Sequence, residues 1–281
     1  MRVWMLSLLS ILAFLAQPTA AATSPSLVNL ERQLDYIASA RGSDVGIAAV
    51  DLQTGETVAL RGHTPYPMAS TMKIAVAALY LSQVEHGRRS LDDTIGGVSA
   101  RSLMSRMMIR SDNRATDILL ADLGGPRALH EWLVQNGLHG LRVDRNIARL
   151  LADKRDLWDV RDSSTPLAMV DLLKKIYRAE LIRPASRNYL LDLMGKCQTG
   201  KNRIRGMLPF GTPVENKTGT LNGLSDDVGF ITMPDGRRIA IAVFARGGAD
   251  RPKTIAATAR TIYDGFKSLF AWPYRPATAG R

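Results

Sequence analysis

The stretch Pro67-Met68-Ala69-Ser70-Thr71-Met72-Lys73 lies where the chain changes from strand-forming to helix-forming sequence. Before it, Val45 to Leu52 and Thr57 to Leu60 are short runs rich in apolar and β-branched residues, which is typical of strands. After it, apolar residues at helical spacing dominate as far as Met194, for example in Ala75 to Val84. This stretch therefore marks the boundary between a predicted sheet and a predicted helical region.

Strand patterns return near the carboxyl end, and helical patterns occupy both ends of the chain, over residues 26–41 and roughly 254–270. The returning strand patterns are Val214 to Thr218, Asp227 to Met233 and Arg238 to Ala245. Pro234-Asp235-Gly236 between the last two indicates a hairpin. This order predicts an α/β (α+β) fold, with an antiparallel sheet flanked by N- and C-terminal helices and an inserted helical subdomain.

The first residues have the pattern of an export signal. Arg2 is followed by a mainly apolar run from Val3 to Ala16, and Ala20-Ala21-Ala22 suits cleavage by a signal peptidase. A membrane anchor is the alternative, but a spanning helix needs roughly 20 apolar residues. We predict a signal peptide over residues 1–22, a secreted or periplasmic mature protein, and no stable membrane insertion after cleavage.

The mature chain, residues 23–281, is expected to form a single catalytic unit. Its sheet subdomain would comprise about 26–69 and 214–271, and its helical subdomain about 70–213. Cys197 is the only cysteine, so no intramolecular disulfide can form, and the four histidines lack metal-ligand spacing. We therefore expect no metal and no cofactor. The formal charge of +11 is scattered and aromatic residues are only 6%, so nucleic-acid binding is not expected. We expect a monomer.

Three short motifs occur in order along the chain, and the first is Ser70-Thr71-Met72-Lys73. Three residues apart on one helix, Ser70 and Lys73 lie on the same face, so the amine can approach the hydroxyl. A serine hydroxyl becomes a good nucleophile only when a base accepts its proton. A lysine that is desolvated and close to other cations can have its pKa lowered enough to act as that base.

The second motif, Ser111-Asp112-Asn113, offers further polar groups. The hydroxyl of Ser111 could relay a proton to a leaving nitrogen, and the amide of Asn113 could donate a hydrogen bond to a substrate amide. Each motif alone is weak, because such short patterns arise by chance at helix starts and turns. Their joint occurrence is what indicates a site.

The third motif, Lys217-Thr218-Gly219, is followed by Thr220 on a predicted edge strand. An edge strand can pair with an extended substrate, while Lys217 and Thr218 hold a carboxylate. Gly219 would allow the substrate to approach closely. The backbone N–H groups of Ser70 and Thr220 could then form an oxyanion hole.

Together, these motifs resemble the set shared by class A serine β-lactamases and penicillin-binding proteins. The likeness covers most of residues 26–270: residues 105–119 resemble the class A helix that carries the second motif, and 227–246 resemble the strand pair after the third. Val143-Asp144-Arg145 and Arg161 to Pro166 resemble the two ends of the class A omega loop. The resemblance implies an acyl-Ser70 intermediate, and an ion pair between Arg145 and Asp162 that closes this loop.

Two departures from that family pattern stand out. Only residues 71–110 separate Ser70 from Ser111, which is shorter than in class A enzymes and implies a truncated cleft wall. Class A enzymes also carry a deacylating glutamate just after the Asp-Arg pair, whereas here Asn146-Ile147-Ala148-Arg149 follows. The aspartates that could substitute for this glutamate are Asp153, Asp156 and Asp159.

Three functions remain open on this evidence. The first is a β-lactamase that opens small-molecule β-lactams through acylation of Ser70 and then hydrolysis. The second is a D-alanyl-D-alanine peptidase or transpeptidase that acts on a peptidoglycan stem peptide. The third is a non-catalytic penicillin or peptidoglycan sensor that stays acylated. The overall likeness to class A favours the first, and the absent glutamate favours the others.

Overall fold

The computed structural model of the protein describes residues 25–40, 42–153 and 156–271. The predicted signal peptide therefore lies outside the described residues. The main sheet has five strands: β1 (Asp44–Asp51), β2 (Thr57–Leu60), β7 (Val214–Leu221), β8 (Leu224–Thr232) and β9 (Arg238–Arg246). All neighbours are antiparallel, in the order β2-β1-β9-β8-β7, so the two ends of the chain build one sheet with β7 at an edge.

Helices cover both faces of this sheet. One face is covered by the terminal helices α1 (Pro25–Ser39) and α9 (Arg251–Ala271), which pack against each other. The other helices are α2 (Lys73–Glu85), α3 (Ala100–Ile109), α4 (Asn113–Asp122), α5 (Gly125–Gln135), α6 (Ile147–Ala152), α7 (Pro166–Tyr177) and α8 (Pro184–Gly195). Over the described ranges, no helix is both long enough and apolar enough to cross a bilayer.

Short elements connect the sheet to the helical region. They are the paired strands β3 (Tyr66–Pro67) and β6 (Ser163–Ser164), the paired strands β4 (Thr94–Ile95) and β5 (Val98–Ser99), and the 3₁₀ helices Ala69–Met72 and Ile204–Met207. The β3–β6 pair joins the segment just before Ser70 to the end of the loop that follows α5. This pairing holds that loop beside the first motif.

Strand β9 shows why the sheet needs both helical layers. Successive side chains of a strand point to opposite faces. On β9, Ile241 and Val243 pack with α1 and α9, while Ala242 and Phe244 pack with the core of the helical region. All four are fully buried, so this strand is apolar on both faces, as expected for a sheet covered on both sides.

The predicted fold class is confirmed. The strand and helix predictions agree with the structure to within a few residues at each end, and the predicted hairpin at Pro234-Asp235-Gly236 joins β8 to β9. Thr165 caps α7 as its hydroxyl accepts a hydrogen bond from the N–H of Ala168 at 3.2 Å, and Pro166 takes the first helical position.

Candidate active site

Ser70 lies on a strained turn that leads into α2. It belongs to the 3₁₀ helix Ala69–Met72, and the preceding Ala69 has a φ of +47°, an unfavourable backbone conformation for a residue with a Cβ. The carbonyl of Met68 accepts hydrogen bonds from both the N–H (2.9 Å) and the hydroxyl (2.7 Å) of Thr71, which fixes the turn. The Ser70 hydroxyl makes no hydrogen bond within the described part of the chain, so it is available to a substrate.

Lys73 is the first residue of α2 and is fully buried. Its Nζ donates to the carbonyl oxygen of Ser111 at 2.8 Å and to the Asn113 Oδ1 at 2.7 Å, and it lies 3.1 Å from the Ser111 Oγ. Burial lowers the pKa of Lys73 to about 7, and the nearby charge of Lys217 adds to this effect. A lysine with such a pKa is partly an uncharged amine at neutral pH, which is the form that can accept a proton.

The second motif lies at a break between two helices. Residues 105–119 were expected to resemble one helix, and this expectation is wrong: α3 ends at Ile109 and α4 begins at Asn113. Between them, Ser111 has a φ of +58°, and the Asp112 side chain caps α4 by accepting a hydrogen bond from the N–H of Ala115 at 2.9 Å. Serine and aspartate favour such caps because their side chains compete with the helical backbone. The break is what turns Ser111 towards Lys73.

Lys217 lies on β7, on the other side of Ser111, and is also fully buried. Its Nζ donates to the Ser111 Oγ at 2.9 Å and to the Thr218 carbonyl at 2.9 Å. Burial lowers its pKa to about 8. The Ser111 hydroxyl therefore bridges two amines, Lys73 and Lys217. With Lys73 uncharged and Lys217 protonated, this hydroxyl can accept from one amine and donate to the other.

The remaining residues of the third motif lie along the edge strand. Gly219 was expected to let a substrate approach, which stays a prediction, and the structure shows a packing role as well. A Cβ on Gly219 would lie 2.8 Å from the Met68 carbonyl oxygen and 2.7 Å from the Asp226 Oδ2. The glycine is therefore required for packing β7 against the turn that carries Ser70. The hydroxyls of Thr218 and Thr199 lie 2.5 Å apart, and Thr220, which follows Gly219, is exposed.

Arg203 is a neighbour of the site that the sequence did not reveal. It is buried, and its Nη1 donates to the carbonyls of Gly219 (2.7 Å) and Asp226 (2.8 Å), while its Nη2 donates to the Thr220 Oγ1 at 2.7 Å. These hydrogen bonds hold the backbone and the Thr220 side chain of the third-motif strand in place. The only local signal was the turn at Gly200, which is too common to identify a site.

Two buried carboxylates, those of Asp226 and Asp227, lie close to Arg203. Asp227 accepts from the Asn216 Nδ2 at 2.8 Å and from the N–H of Ile204 at 3.1 Å, and burial raises its pKa to about 6. Burial also raises the pKa of Asp226 well above its usual value. In the sequence these two residues were part of a strand pattern, and only the tertiary structure places them behind the third motif.

The loop between α5 and α7 is closed by the predicted ion pair. The Arg145 Nε lies 2.6 Å from the Asp162 Oδ2, and both side chains are largely buried. The Asp162 Oδ1 also accepts from the backbone N–H groups of Asp144 (2.8 Å) and Arg145 (2.9 Å). The prediction of an ion pair between Arg145 and Asp162 is confirmed. Together with the two backbone hydrogen bonds, it joins the two ends of the loop.

The inner side of this loop presents an apolar residue to the site. Ile147 is 2% exposed and lines a cavity together with Asn113, whereas the side chain of Arg149 is 72% exposed and pairs with Asp153. The Asp117 carboxylate accepts from the N–H groups of Ile147 (2.7 Å) and Ala148 (2.9 Å). Ile147 therefore faces inward, and it has no atom that could activate water.

The three aspartates that could have replaced the glutamate each make contacts with other residues of the loop. Asp153 pairs with both Arg145 (3.0 Å) and Arg149 (2.8 Å). The Asp156 Oδ1 accepts from the N–H of Trp158 at 2.9 Å. Hydrogen bonds from Arg161 lower the pKa of Asp159 to about 2. A carboxylate stabilised in its charged form by an arginine is a weak base, which argues against Asp159 as the replacement for the glutamate.

A serine on a strained turn, two buried lysines that share a hydroxyl, and an edge strand beside them define the class of active-site serine hydrolases. The family model described as "Beta-lactamase enzyme family" matches residues 29–266. The chain belongs to this family, and it is a serine β-lactamase-type hydrolase of class A.

Similar proteins and similar solved structures are also β-lactamases. The extended-spectrum β-lactamase PER-1 of Pseudomonas aeruginosa is 29% identical, over 86% of this chain and 88% of its own length. The carbapenem-hydrolyzing β-lactamase KPC of Klebsiella oxytoca is 28% identical, over 92% of this chain and 96% of its own length. A solved variant of the last common ancestor of Gram-negative bacteria β-lactamase class A has a TM-score of 0.81 at 30% identity, and covers 86% of this chain and 99% of its own.

Proposed function

We propose that the protein opens small-molecule β-lactams by forming an acyl ester on Ser70, in the periplasm or outside the cell after removal of residues 1–22. The observation that carries this proposal is the Ser111 hydroxyl, held between the Nζ atoms of Lys73 (3.1 Å) and Lys217 (2.9 Å). Such a bridge supplies both proton transfers that opening of a lactam requires.

The proposed reaction runs in two linked proton transfers. Uncharged Lys73 takes the proton of the Ser70 hydroxyl while the serine oxygen attacks the lactam carbonyl. As the carbon–nitrogen bond breaks, Ser111 gives its proton to the ring nitrogen and recovers one from Lys73. The N–H groups of Ser70 and Thr220 stabilise the negative oxygen of the intermediate.

Substrate binding in this proposal uses the edge strand and the second motif. The ammonium of Lys217 and the hydroxyl of Thr218 hold the carboxylate of the β-lactam, as a charge-assisted hydrogen bond is stronger than a neutral one. The side chain of Asn113 donates to the substrate amide. The backbone of β7, from Thr218 through Gly219 to Thr220, lies along the acyl side of the substrate.

Hydrolysis of the acyl ester is the slow step in this proposal. A water molecule must be held against the ester carbonyl and lose a proton, and the inward residue of the loop is Ile147. Loss of a positioned general base costs a factor of about 10² to 10⁴. Acylation should therefore be fast and turnover slow, with Lys73 acting a second time as base.

A chromogenic cephalosporin tests this directly. We expect a burst of about one equivalent of product followed by a slow steady rate. Intact-mass measurement should show the adduct persisting, and peptide mapping should place it on Ser70. Rapid multiple turnover without a burst would contradict the proposed slow step, and an adduct on another residue would contradict the role of Ser70.

A second candidate is a D-alanyl-D-alanine peptidase or transpeptidase acting on a peptidoglycan stem peptide. The observation that favours it is the apolar Ile147 on the loop, because a peptide acyl group can be passed to an amine without an activated water. Release of D-alanine from a synthetic stem peptide, measured with and without an added amine acceptor, separates the two. The same measurement tests a sensor, which would be acylated by the lactam and release no D-alanine.

A further inference from the structure

A polar pocket lies along the exposed side of α3 and extends from the start of this helix to Arg110, which directly precedes Ser111. Its volume is about 430 Å³. Its polar lining consists of three serine hydroxyls, a glutamine and three arginines, and no carboxylate of a described residue lines it. We call it the α3 pocket, and its arginines are Arg101, Arg106 and Arg110.

The three arginines differ in how they are paired. Arg101 pairs with Asp92 at 3.0 Å and Arg106 pairs with Asp112 at 2.5 Å. Each pair uses the Nε and Nη2 atoms, so the Nη1 donors lie outside it. Arg110 is exposed, and its guanidinium makes no ion pair or hydrogen bond with any described residue. The pocket therefore has a net positive charge and hydrogen-bond donors that a ligand can use.

The inner end of the pocket borders the residues proposed to hold the substrate. The backbone N–H of Gln198, which lines the pocket, donates to the carbonyl of Ile109 at 3.0 Å. The next residue, Thr199, has its hydroxyl 2.5 Å from that of Thr218. The pocket thus begins beside the hydroxyl that is proposed to bind the ring carboxylate.

The proposed reaction fixes which part of a substrate would reach this pocket. Ser111 gives its proton to the ring nitrogen, so the fused ring that bears the carboxylate lies on the side of Ser111 and Thr218. A substituent that extends from this ring past the carboxylate would reach Arg110 and the α3 pocket. The acyl amide is held at Asn113 instead.

From these contacts we infer that the α3 pocket binds an anionic group on the leaving-group side of the substrate, in addition to the ring carboxylate. This inference rests on the proposed acylation of Ser70 and adds a substrate class, namely substrates with a second negative charge on the nitrogen side. Guanidinium groups suit such a ligand because their donors match the oxygens of a carboxylate or a phosphate.

Two cephalosporins that share the acyl group and differ in the ester on the 3-methyl carbon, acetate against hemisuccinate, provide the test. The two esters are electronically similar, so a difference in rate reports the added carboxylate. Attraction between unit charges about 4 Å apart in water corresponds to roughly a fivefold change in binding. We expect the second-order rate constant for labelling Ser70 to be at least about fivefold higher for the hemisuccinate at low ionic strength. This ratio should approach one in about 1 M salt, where the Debye length is about 3 Å.

Variants of the pocket separate its charge from the charge of the whole protein. Arg110→Gln should bring the ratio to within about twofold of one, and Arg110→Lys should keep most of it because the charge remains. Arg88→Gln is the matched control, since Arg88 is exposed beyond the far end of α2 and does not line the pocket, and it should keep the native ratio. Ser102→Asp adds a negative charge to the lining while Arg110 stays in place, and it should also lower the ratio.

The outcomes distinguish the inference from the proposed function. A native ratio near one, or equal ratios in the Arg110→Gln and Arg88→Gln variants, would overturn the inference while acylation of Ser70 stands. Labelling by neither cephalosporin would overturn the proposed function and the inference with it.

Discussion

The two sides of the catalytic cleft differ in what they retain. On the side of the two lysines, Lys73, Ser111 and Lys217 form an unbroken set of hydrogen bonds between 2.8 and 3.1 Å. On the loop side, the Arg145–Asp162 pair at 2.6 Å closes the same kind of loop, yet the inward position holds Ile147. The first side has the groups to which the proposal above assigns acylation. The second side has the closed loop but lacks a carboxylate at the inward position.

This difference shows that the loop's structure does not depend on a catalytic carboxylate. The loop is held by Arg145, Asp162 and the backbone contacts of Asp117, none of which involves the side chain at position 147. In the proposed reaction, acylation and deacylation therefore depend on different parts of the fold. The proposal assigns acylation to the two lysines, and it leaves deacylation without the group that the loop would position.

Loss of the nucleophile or of the lysine base should have the largest effect, on the side of the two lysines. Ser70→Ala should abolish labelling by a fluorescent penicillin, and Lys73→Ala should slow it by at least about a hundredfold, since a positioned base contributes at least that factor. Gel-based labelling over time measures both. Undiminished labelling of Ser70→Ala would show that the nucleophile lies elsewhere.

Restoring a carboxylate in the loop should accelerate hydrolysis of the acyl adduct. Ile147→Glu should accelerate decay of the acyl adduct by about a hundredfold, the lower part of the range for a general base. Ile147→Gln is the control, because it has the same shape without a base, and the adduct should persist. The half-life is read from intact mass after removal of free penicillin. Equal half-lives in both variants would show that the missing base is not at this position.

The loop framework should contribute to stability independently of catalysis. Asp162→Asn removes one charge of a largely buried pair and should lower the free energy of unfolding by about 3 kcal/mol. Asparagine also tolerates the φ of +52° at this position, so the charge is the main change. Asp192→Asn, in an exposed pair with Lys196, should cost less than about 1 kcal/mol. Urea unfolding of both variants measures the difference, and similar losses would contradict the distinction.

The last prediction concerns the pH dependence of acylation. Lys73 acts as an uncharged base, so the rate should rise about tenfold per pH unit below its pKa of about 7 and level above it. Lys217 acts as an ammonium, so the rate should fall as pH rises through its pKa of about 8. Stopped-flow acylation between pH 5 and 10 measures this profile, in which both limbs flank a narrow maximum (roughly pH 7 to 8). A rate independent of pH below 7 would exclude Lys73 as the base.

The order of elements was predictable because it depends on local patterns. The continuous apolar run of β9, the hairpin at Pro234-Asp235-Gly236 and the Thr165-Pro166 helix start are signals that nearby residues supply on their own. The break at Ser111 was not predicted, since the apolar spacing of α3 continues into α4. Ser111 has a left-handed backbone, and its carbonyl and hydroxyl contact Lys73, which is 38 residues away in the chain.

For the site, the sequence by itself determined which chemical groups are present: a serine, two lysines, and no glutamate after Asp144-Arg145. Only the tertiary structure decided what those groups can do. Burial gives Lys73 and Lys217 their lowered pKa values, and burial depends on residues far away in the chain. The position of Arg203 behind β7 and the inward side chain of Ile147 likewise arise from contacts between distant segments, which local sequence patterns do not encode.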